Sequence, residues 1–184
     1  MIETDRLILR RWQDSDAEAL YRYASDREIG PIAGWSPHSS VENSLEIIRT
    51  VFSSPEVYAV TLKETGEPVG CCGIMLPDNF HDAAVKEGEI GYWIGKPFWG
   101  RGLIPEAVNA LLARSFNVLN IDVLWCGFYE GNEKSKRVCQ KCGFKYHHTD
   151  NDTISPLGDV RTEHSYQMTK EDYANRLYRR GGFA

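Results

Sequence analysis

The sequence has no apolar run close to the roughly 20 residues that a membrane-spanning helix needs. It also has no basic excess: 21 Lys and Arg stand against 26 Asp and Glu, a net charge of −5, which argues against a nucleic-acid groove as the main binding surface. The opening residues, MIETDRLILRRW, lack the apolar core of a signal peptide. We therefore expect a soluble, cytoplasmic protein with neither a membrane nor a direct nucleic-acid partner.

Cysteine is present but does not suggest a disulfide framework. There are five cysteines, an odd count, and Cys71 and Cys72 are neighbours inside a strand-like run. Cys139 and Cys142 form a Cys-x-x-Cys, but the two histidines that follow are adjacent rather than three to five residues apart, as a zinc site needs. The pair also lies late in a predicted helix, unlike a thioredoxin motif. We predict no metal, and a zinc or redox protein remains the weakest hypothesis.

The chain's periodicity predicts one α+β domain over residues 1–184, with a central mixed, mostly antiparallel sheet flanked by helices. The predicted strands are RLILRRW, VYAVTLK, PVGCCGIML, EIGYWIG, IDVLWCGFY, GFKYHHT and VRTEHSYQM. The predicted helices are DSDAEALYRYA with a Ser15–Glu18 capping box, SSVENSLEIIRTVF capped by Ser39 or Ser40, PEAVNALLARSF, NEKSKRVCQKC and a terminal helix capped by Thr169 through Asp172.

The stretch FWGRGLIPEA lies between a strand and a helix and could hold an anion. Gly100 and Gly102 permit positive φ and leave no Cβ in the way of a ligand. Pro105 suits the first turn of a helix, whose free amides and positive dipole end would point back at the loop. The spacing fits neither a P-loop nor a Rossmann fingerprint. From the spacing alone, an anion-binding loop and a tight turn remain equally open.

The surrounding motifs resemble the GNAT superfamily, the Gcn5-related N-acetyltransferases. Its glycine motif, Gln/Arg-x-x-Gly-x-Gly/Ala, falls on the residues Trp99 to Ile104, where only Gly102 matches strictly. Four segments, in the right order, resemble the branch of ribosomal-protein N-acetyltransferases: TDRLILRRWQDSDAEAL, EIGYWIGKPFWGRG, the "WGxG" followed by "EA", and NEKSKRVCQKCGF. The resemblance runs from Thr4 to about Asp172. It implies acetyl-CoA as cosubstrate, no metal, and direct transfer of the acetyl group to an amine.

The same resemblance implies which residues bind coenzyme A. The loop would hold the pyrophosphate, the backbone of the strand before it would pair with the pantetheine arm, and Asn132 would hold the amide or acetyl region. The implied cofactor-binding residues are Tyr92, Trp93, Ile94, Trp99, Gly100, Arg101, Gly102, Leu103, Ile104, Asn132 and Ser135. Asn132 also suits a helix N-cap, and both roles are compatible.

Catalysis requires a base for the amine, a donor for the oxyanion and a proton or hydrogen bond for the thiolate. We expect Glu89 to be the base, because a part-buried carboxylate at the start of its strand would have a raised pKa. Many relatives carry a tyrosine, seven residues after the asparagine, that protonates the thiolate. That position is Cys139 here, so Cys139 or Ser135 is the candidate acid.

The sequence says least about the amine that accepts the acetyl group. Acidic residues of the loop PDNFHDAAVKEGE favour a cationic amine, and Trp12, Trp35 and Tyr58 are candidates for lining its pocket or for the core. The acceptor is a protein N-terminus or a small amine, and a monomer and a homodimer are both open. Because the tyrosine is missing, a non-catalytic acyl-CoA-binding sensor or scaffold is the alternative to an N-acetyltransferase.

Overall fold

The structure, a computed structural model, describes the backbone of residues 1–181 and the side chains of residues 1–178. In chain order, the strands are β1 Ile2–Glu3, β2 Leu7–Arg10, β3 Val57–Leu62, β4 Pro68–Met75, β5 Glu87–Ile94, β6 Val123–Tyr129, β7 Lys145–Ile154 and β8 Val160–Thr169. The helices are α1 Ala17–Ala24, α2 Val41–Arg49, α3 Leu103–Asn117, α4 Glu133–Cys142 and α5 Lys170–Gly181. Residues 182–184 of the predicted domain lie outside the described residues.

All eight strands form one sheet, in the order β1-β2-β3-β4-β5-β6-β8-β7. Every neighbouring pair is antiparallel except β5 and β6, which are parallel. Parallel neighbours need a crossover connection, and α3 provides it. The predicted α+β fold with a mixed, mostly antiparallel sheet is therefore confirmed.

Helices cover both faces of the sheet, and each face has its own apolar core. On one face, residues of α3, α4 and α5 pack against alternate residues of the strands, including the fully buried Leu111, Leu112 and Leu124. On the other face, α1 and α2 contribute Leu20 and Ile48 to a smaller cluster. Strand side chains alternate between these two environments.

Several predicted caps form. The Ser40 side chain accepts a hydrogen bond from the Asn43 N–H at 3.1 Å and begins α2. Thr169 and Asp172 form the reciprocal pair predicted for α5, since the Asp172 N–H donates to Thr169 Oγ1 at 3.1 Å and the Thr169 N–H donates to Asp172 Oδ2 at 3.3 Å.

The predicted helix DSDAEALYRYA forms, but its first turn is not α-helical and its predicted capping box is wrong. A 3₁₀ turn over Asp14–Asp16 precedes the helix, and Asp16 is its N-cap. The buried Asp16 carboxylate accepts both Arg10 guanidinium nitrogens, at 2.7 and 2.8 Å, and the Gln13 N–H. This bidentate ion pair holds Asp16 in place. Asp16 is the N-cap instead of Ser15, and the expected Ser15–Glu18 capping box does not form.

Two strand predictions are incomplete. β1 pairs with β2 through Ile2↔Leu9 and Glu3↔Ile8 and was not predicted, because two residues are too short for a periodic signal. β7 continues to Ile154, beyond the predicted end at Thr149. Its polar second half has no apolar alternation, and pairing with β8 extends it.

Candidate active site

A cleft opens between β5 and β6. The two strands pair only over Glu87↔Val123, Gly88↔Leu124 and Glu89↔Trp125. Beyond Glu89, β5 continues to Ile94 beside β4, and no pairing with β6 is found among the described residues. The backbone of that half of β5 is therefore exposed on one side, as a strand that can accept another strand-like partner.

The alternation of the strand decides which backbone groups face this cleft. The Gly95 N–H donates to Val69 O of β4 at 2.8 Å. Residues at odd positions therefore point their backbone groups at β4, and those at even positions point them at the cleft. Among the predicted pantetheine contacts, Tyr92 and Ile94 face the cleft and Trp93 faces β4. The Trp99 indole N–H donates to Ile94 O at 3.0 Å and occupies one of the cleft-facing groups.

The glycine loop has the predicted backbone. Gly100 and Gly102 have φ of 75° and 74°, a region that other residues enter at a cost. A Cβ at Gly100 would meet nothing within 4 Å, so sterics do not explain this glycine. The positive φ explains it.

Unpaired amides line the loop. Gly102 is the N-cap of α3, and the Glu106 N–H closes the first turn on Gly102 O at 3.3 Å. Among the described residues, no partner is found for the amide N–H groups of residues 100–104. Five neighbouring donors at the positive end of a helix are therefore left for a partner outside the described residues, and such a position favours an anion.

Cationic side chains surround the same loop. Arg6 donates to Arg101 O at 2.9 Å, and its Nη2 would lie 3.7 Å from a Cβ at Gly102. The Arg101 guanidinium lies over the Phe98 ring at 5.6 Å, and Lys134 lies 3.9 Å from the centre of the Trp99 ring. Arg6 and Lys134 were not predicted, because neither belongs to the glycine motif.

One carboxylate stands near these cations. Glu106 accepts hydrogen bonds from Thr4 Oγ1 at 2.5 Å and from the Arg6 backbone N–H and Nε at 2.8 and 2.7 Å. Burial opposes its ionisation, but these donors outweigh burial and lower the pKa of Glu106. The charge of Glu106 is thereby satisfied within the protein, and it ties the N-terminal segment to α3.

Asn132 and Ser135 lie at the start of α4. Asn132 is the N-cap, and its Oδ1 accepts the Ser135 N–H at 3.2 Å, so the predicted capping role is confirmed. The Ser135 hydroxyl lies 2.9 Å from the Tyr92 hydroxyl, which also lies 3.5 Å from Cys139 Sγ. The structure thus brings Tyr92, Ser135 and Cys139 together at one side of the cleft.

Glu89 lies on the opposite face of the sheet, with a second carboxylate beside it. A Cβ on Gly127 would come within 2.6 Å of Glu163 Oε1 and 3.6 Å of Glu89 Oε1. Burial of its carboxylate raises the pKa of Glu89, and the negative charge of Glu163 raises it further, although the residue as a whole is exposed to solvent, which limits the effect of burial. Glu163 was not predicted. The available signal was Gly127, since an isolated glycine inside a strand often marks a close approach of another group.

An open pocket of about 260 Å³ surrounds these carboxylates. It is lined by Glu89, Trp125, Gly127, His148, Glu163 and Ser165. His148 Nε2 lies 2.9 Å from Asp150 Oδ2, and its ring lies edge-on to Trp125. The pocket therefore combines negative charge with an aromatic wall, which suits a cationic ligand.

The predicted aromatic residues separate into two groups. Trp12 and Tyr58 are buried, Trp12 stacked on Phe52 and Tyr58 donating to Glu56 at 2.8 Å. Trp35 lies 5.8 Å from the ring centre of Trp93, on the face of the sheet that carries Glu89. None of the three is among the residues that line the pocket beside Glu89.

A larger open pocket, of about 490 Å³, lies at the end of α1. Its cations are already paired, Arg22 with Glu67 at 2.7 Å and Lys96 with Glu28 at 2.5 Å. It lacks both the exposed strand backbone and the glycine loop. We therefore assign the chemistry to the cleft and not to this pocket.

Two of the cysteines, Cys126 and Cys139, lie beside the Tyr92 hydroxyl, with their sulfur atoms 2.8 Å apart. All five cysteines are buried free thiols. Cys142 is fully buried at the end of α4, where the sequence resemblance places an apolar residue. Among residues 1–178, whose side chains are described, no group of three or more His, Cys, Asp or Glu could hold a metal ion. Within the described residues, no helix is both long and apolar enough to span a membrane.

A strand pair that separates beside a glycine loop is the arrangement that the sequence resemblance implied, and comparison with known proteins identifies the family. The family model for the acetyltransferase (GNAT) domain matches residues 6–145. The uncharacterized N-acetyltransferase YoaA of Bacillus subtilis is 30% identical over 152 residues, covering 79% of this chain and 82% of that protein.

Solved structures share the fold. The microcin C7 self-immunity acetyltransferase MccE, in complex with acetyl-CoA and AMP, aligns with a TM-score of 0.74 and 21% identity over 90% of this chain and 93% of that one. A ribosomal-protein-S5-alanine acetyltransferase of Vibrio fischeri aligns with a TM-score of 0.69 and 20% identity over 93% and 97%. The chain belongs to the GNAT family of acetyltransferases. It is an acetyltransferase with acetyl-CoA as its cosubstrate, as the sequence resemblance implied.

Proposed function

We propose that the protein transfers the acetyl group of acetyl-CoA directly to a primary amine that is cationic in solution. The single observation that carries this proposal is the position of the Glu89 and Glu163 carboxylates beside the point where β5 and β6 separate. Glu89 is the last residue of β5 that pairs with β6, so its side chain lies next to the opening of the cleft.

Coenzyme A would occupy the cleft in a fixed direction. The amides of residues 100–104 would hold the pyrophosphate, with Arg101 as a charged donor and Trp99, Leu103 and Ile104 shaping the loop. The backbone groups of Tyr92 and Ile94 would pair with the pantetheine arm, and one of their N–H groups would stabilise the oxyanion. Asn132 would border the acetyl end, at the start of α4.

Glu89 would act as the base. An ammonium ion cannot attack a thioester, so it must lose a proton first. A carboxylate whose pKa is raised by burial and by Glu163 binds that proton more strongly than an ordinary glutamate. Two carboxylates also attract the cationic acceptor into the pocket. No enzyme-bound acyl intermediate is needed.

Both acceptor classes expected from the sequence fit this description, because a protein N-terminus and a small amine are both cationic at neutral pH. The test is the release of free thiol from acetyl-CoA with N-terminal peptides, polyamines and amino acids, beside direct binding of acetyl-CoA. Release with one class supports the transferase and names its acceptor. Tight binding without release by any acceptor contradicts the proposal and favours the sensor.

A further inference from the structure

The Tyr92 side chain has a polar end on an otherwise apolar face. Its neighbours on that face, Ile90 and Ile94, pack in the core with α3. The Tyr92 hydroxyl lies 2.9 Å from Ser135 Oγ, 3.2 Å from Ser135 O, 3.5 Å from Cys139 Sγ and 3.6 Å from Cys126 Sγ. It therefore connects β5 to both β6 and α4.

This hydroxyl lies directly across β6 from the carboxylates. Cys126, which it touches, and Gly127, which the carboxylates flank, are successive residues of one strand and face opposite sides of the sheet. A thioester held between β5 and β6 would thus have the Glu89 carboxylate on one side and the Tyr92–Ser135 hydroxyl pair on the other. Attack and departure in acetyl transfer need groups on two sides of the same carbon.

We infer that Tyr92 is a positioning residue for the leaving group: its single hydrogen is shared between Ser135 Oγ at 2.9 Å and Ser135 O at 3.2 Å, so Oγ is held as an acceptor and the Ser135 hydrogen is left to donate to the departing sulfur of coenzyme A. A serine hydroxyl accepts two hydrogen bonds and donates one, so a donor on Oγ directs its own hydrogen elsewhere. The inference rests on the proposed function. It assigns the Tyr92 side chain a role that is separate from the pairing of the Tyr92 backbone.

In this acetyl-transfer step, neither the Tyr92 nor the Ser135 hydroxyl gives up a proton. The bond from the amine nitrogen to the acetyl carbon forms, the carbon–sulfur bond breaks, and its electron pair goes to sulfur. Glu89 takes the first proton from the ammonium ion before attack and passes it to solvent, and it then takes the second proton, which the nitrogen loses once it is bonded to the acetyl carbon. The Ser135 hydrogen bond stabilises the thiolate, which takes a proton from solvent as coenzyme A leaves.

The environment keeps the phenol in the form that this role requires. Burial, first of all, raises the pKa of Tyr92 well above its usual range, so the hydroxyl stays neutral and remains a donor at working pH. Tyr92 also explains how the site functions with a cysteine at position 139. A phenol reaches the neighbourhood of Cys139 from the strand instead of from α4.

The test compares Tyr92→Phe, Ser135→Ala and the double variant in steady-state thiol release. We expect each single change to lower kcat about 10- to 100-fold, the range for a hydrogen bond to a charged group, with little change in KM for acetyl-CoA. Because Tyr92 acts through Ser135, we expect the double variant to be no slower than Ser135→Ala. Tyr58→Phe removes another buried tyrosine hydroxyl, one that bonds Glu56, and should keep the wild-type kcat.

Each outcome is decisive. An active wild type with an unchanged kcat in Tyr92→Phe overturns this inference alone, and so do additive losses in the double variant. A wild type that binds acetyl-CoA and releases no thiol overturns the proposed function, and this inference with it.

If Tyr92→Phe does not fold, 3,5-difluorotyrosine at position 92 keeps the hydroxyl and makes it a stronger acid. We then expect kcat to fall at a lower pH than in the wild type, and an unchanged pH profile counts against the inference.

Discussion

Glu89 and Glu163 reach the same point from two strands that are not neighbours. β5 and β8 both flank β6, and the two carboxylates extend towards each other over Gly127, the position on β6 that has no side chain. The negative charge of Glu163 raises the pKa of Glu89 beyond the effect of burial. The contribution of each of the three residues can be tested separately.

Replacing Glu89 with Gln should lower kcat about 10²- to 10⁴-fold, the usual contribution of a general base, because the amide cannot take the proton of the amine. The measurement is thiol release at saturating acetyl-CoA. Glu87→Gln is the matched control, since Glu87 lies two residues earlier on the same strand face and is exposed. Equal activity in both variants would show that Glu89 is not the base.

Replacing Glu163 with Gln should move the acidic limb of the pH–rate profile to lower pH. The wild-type rate rises as the pH rises through the raised pKa of Glu89, because only the carboxylate can accept a proton. Removing the charge of Glu163 lowers that pKa. Gly127→Ala should shift the limb in the same direction, since its Cβ would displace Glu163 Oε1. If the acidic limb does not move in either variant, Glu163 does not influence the group that accepts the proton.

Replacing Gly102 with Ala should raise KM for acetyl-CoA about tenfold or more. The φ of 74° is strained for alanine by about 1–2 kcal/mol, and relief of that strain would turn the loop amides away from the pyrophosphate. Gly66→Ala is the control: Gly66 has a φ of 73°, no atom within 4 Å of an added Cβ, and lies in the β3–β4 turn. It should lower the melting temperature and leave KM unchanged. If KM for acetyl-CoA changed equally in the two variants, the effect of Gly102→Ala would come from general backbone strain and not from the loss of loop amides that bind coenzyme A.

Replacing Arg114 with Met should lower the free energy of unfolding at pH 7 by about 2 kcal/mol, because it leaves the buried Glu56 carboxylate unpaired. Burial opposes ionisation of Glu56, but hydrogen bonds from Arg114 and Tyr58 outweigh it and lower the pKa. A lowered folded-state pKa contributes stability above the unfolded-state value and loses it as the pH falls through the folded-state value. The difference between wild type and variant should therefore shrink in acid.

Urea unfolding at pH 7 and below pH 4 measures this difference. Arg49→Met is the comparison, since the Arg49–Asp14 pair is exposed on both sides and should matter little. An Arg114 variant as stable as the Arg49 variant at pH 7 would mean that the buried pair is not a net source of stability.

Much of the architecture could be predicted from local patterns. Positive φ at Gly100 and Gly102, the Asn132 and Ser40 caps and the boundaries of most strands follow from residue types within a few positions of each other. The cap of α1 could not be predicted this way: Arg10, six residues earlier, binds the Asp16 carboxylate, and the expected Ser15–Glu18 capping box is absent. The capping rules describe fixed spacings and do not include this contact.

The sequence by itself determined the strand–loop–helix unit, the positive φ of its two glycines and the presence of a carboxylate at position 89, because these depend on backbone propensities and on the two-residue period of a strand. Only the tertiary structure decided that Glu163 stands beside Glu89, and that the Tyr92 hydroxyl meets Ser135 near Cys139. Those contacts depend on the order and register of β5, β6 and β8 and on the docking of α4. Register is a property of the assembled sheet, set by pairings between segments that are far apart in the chain.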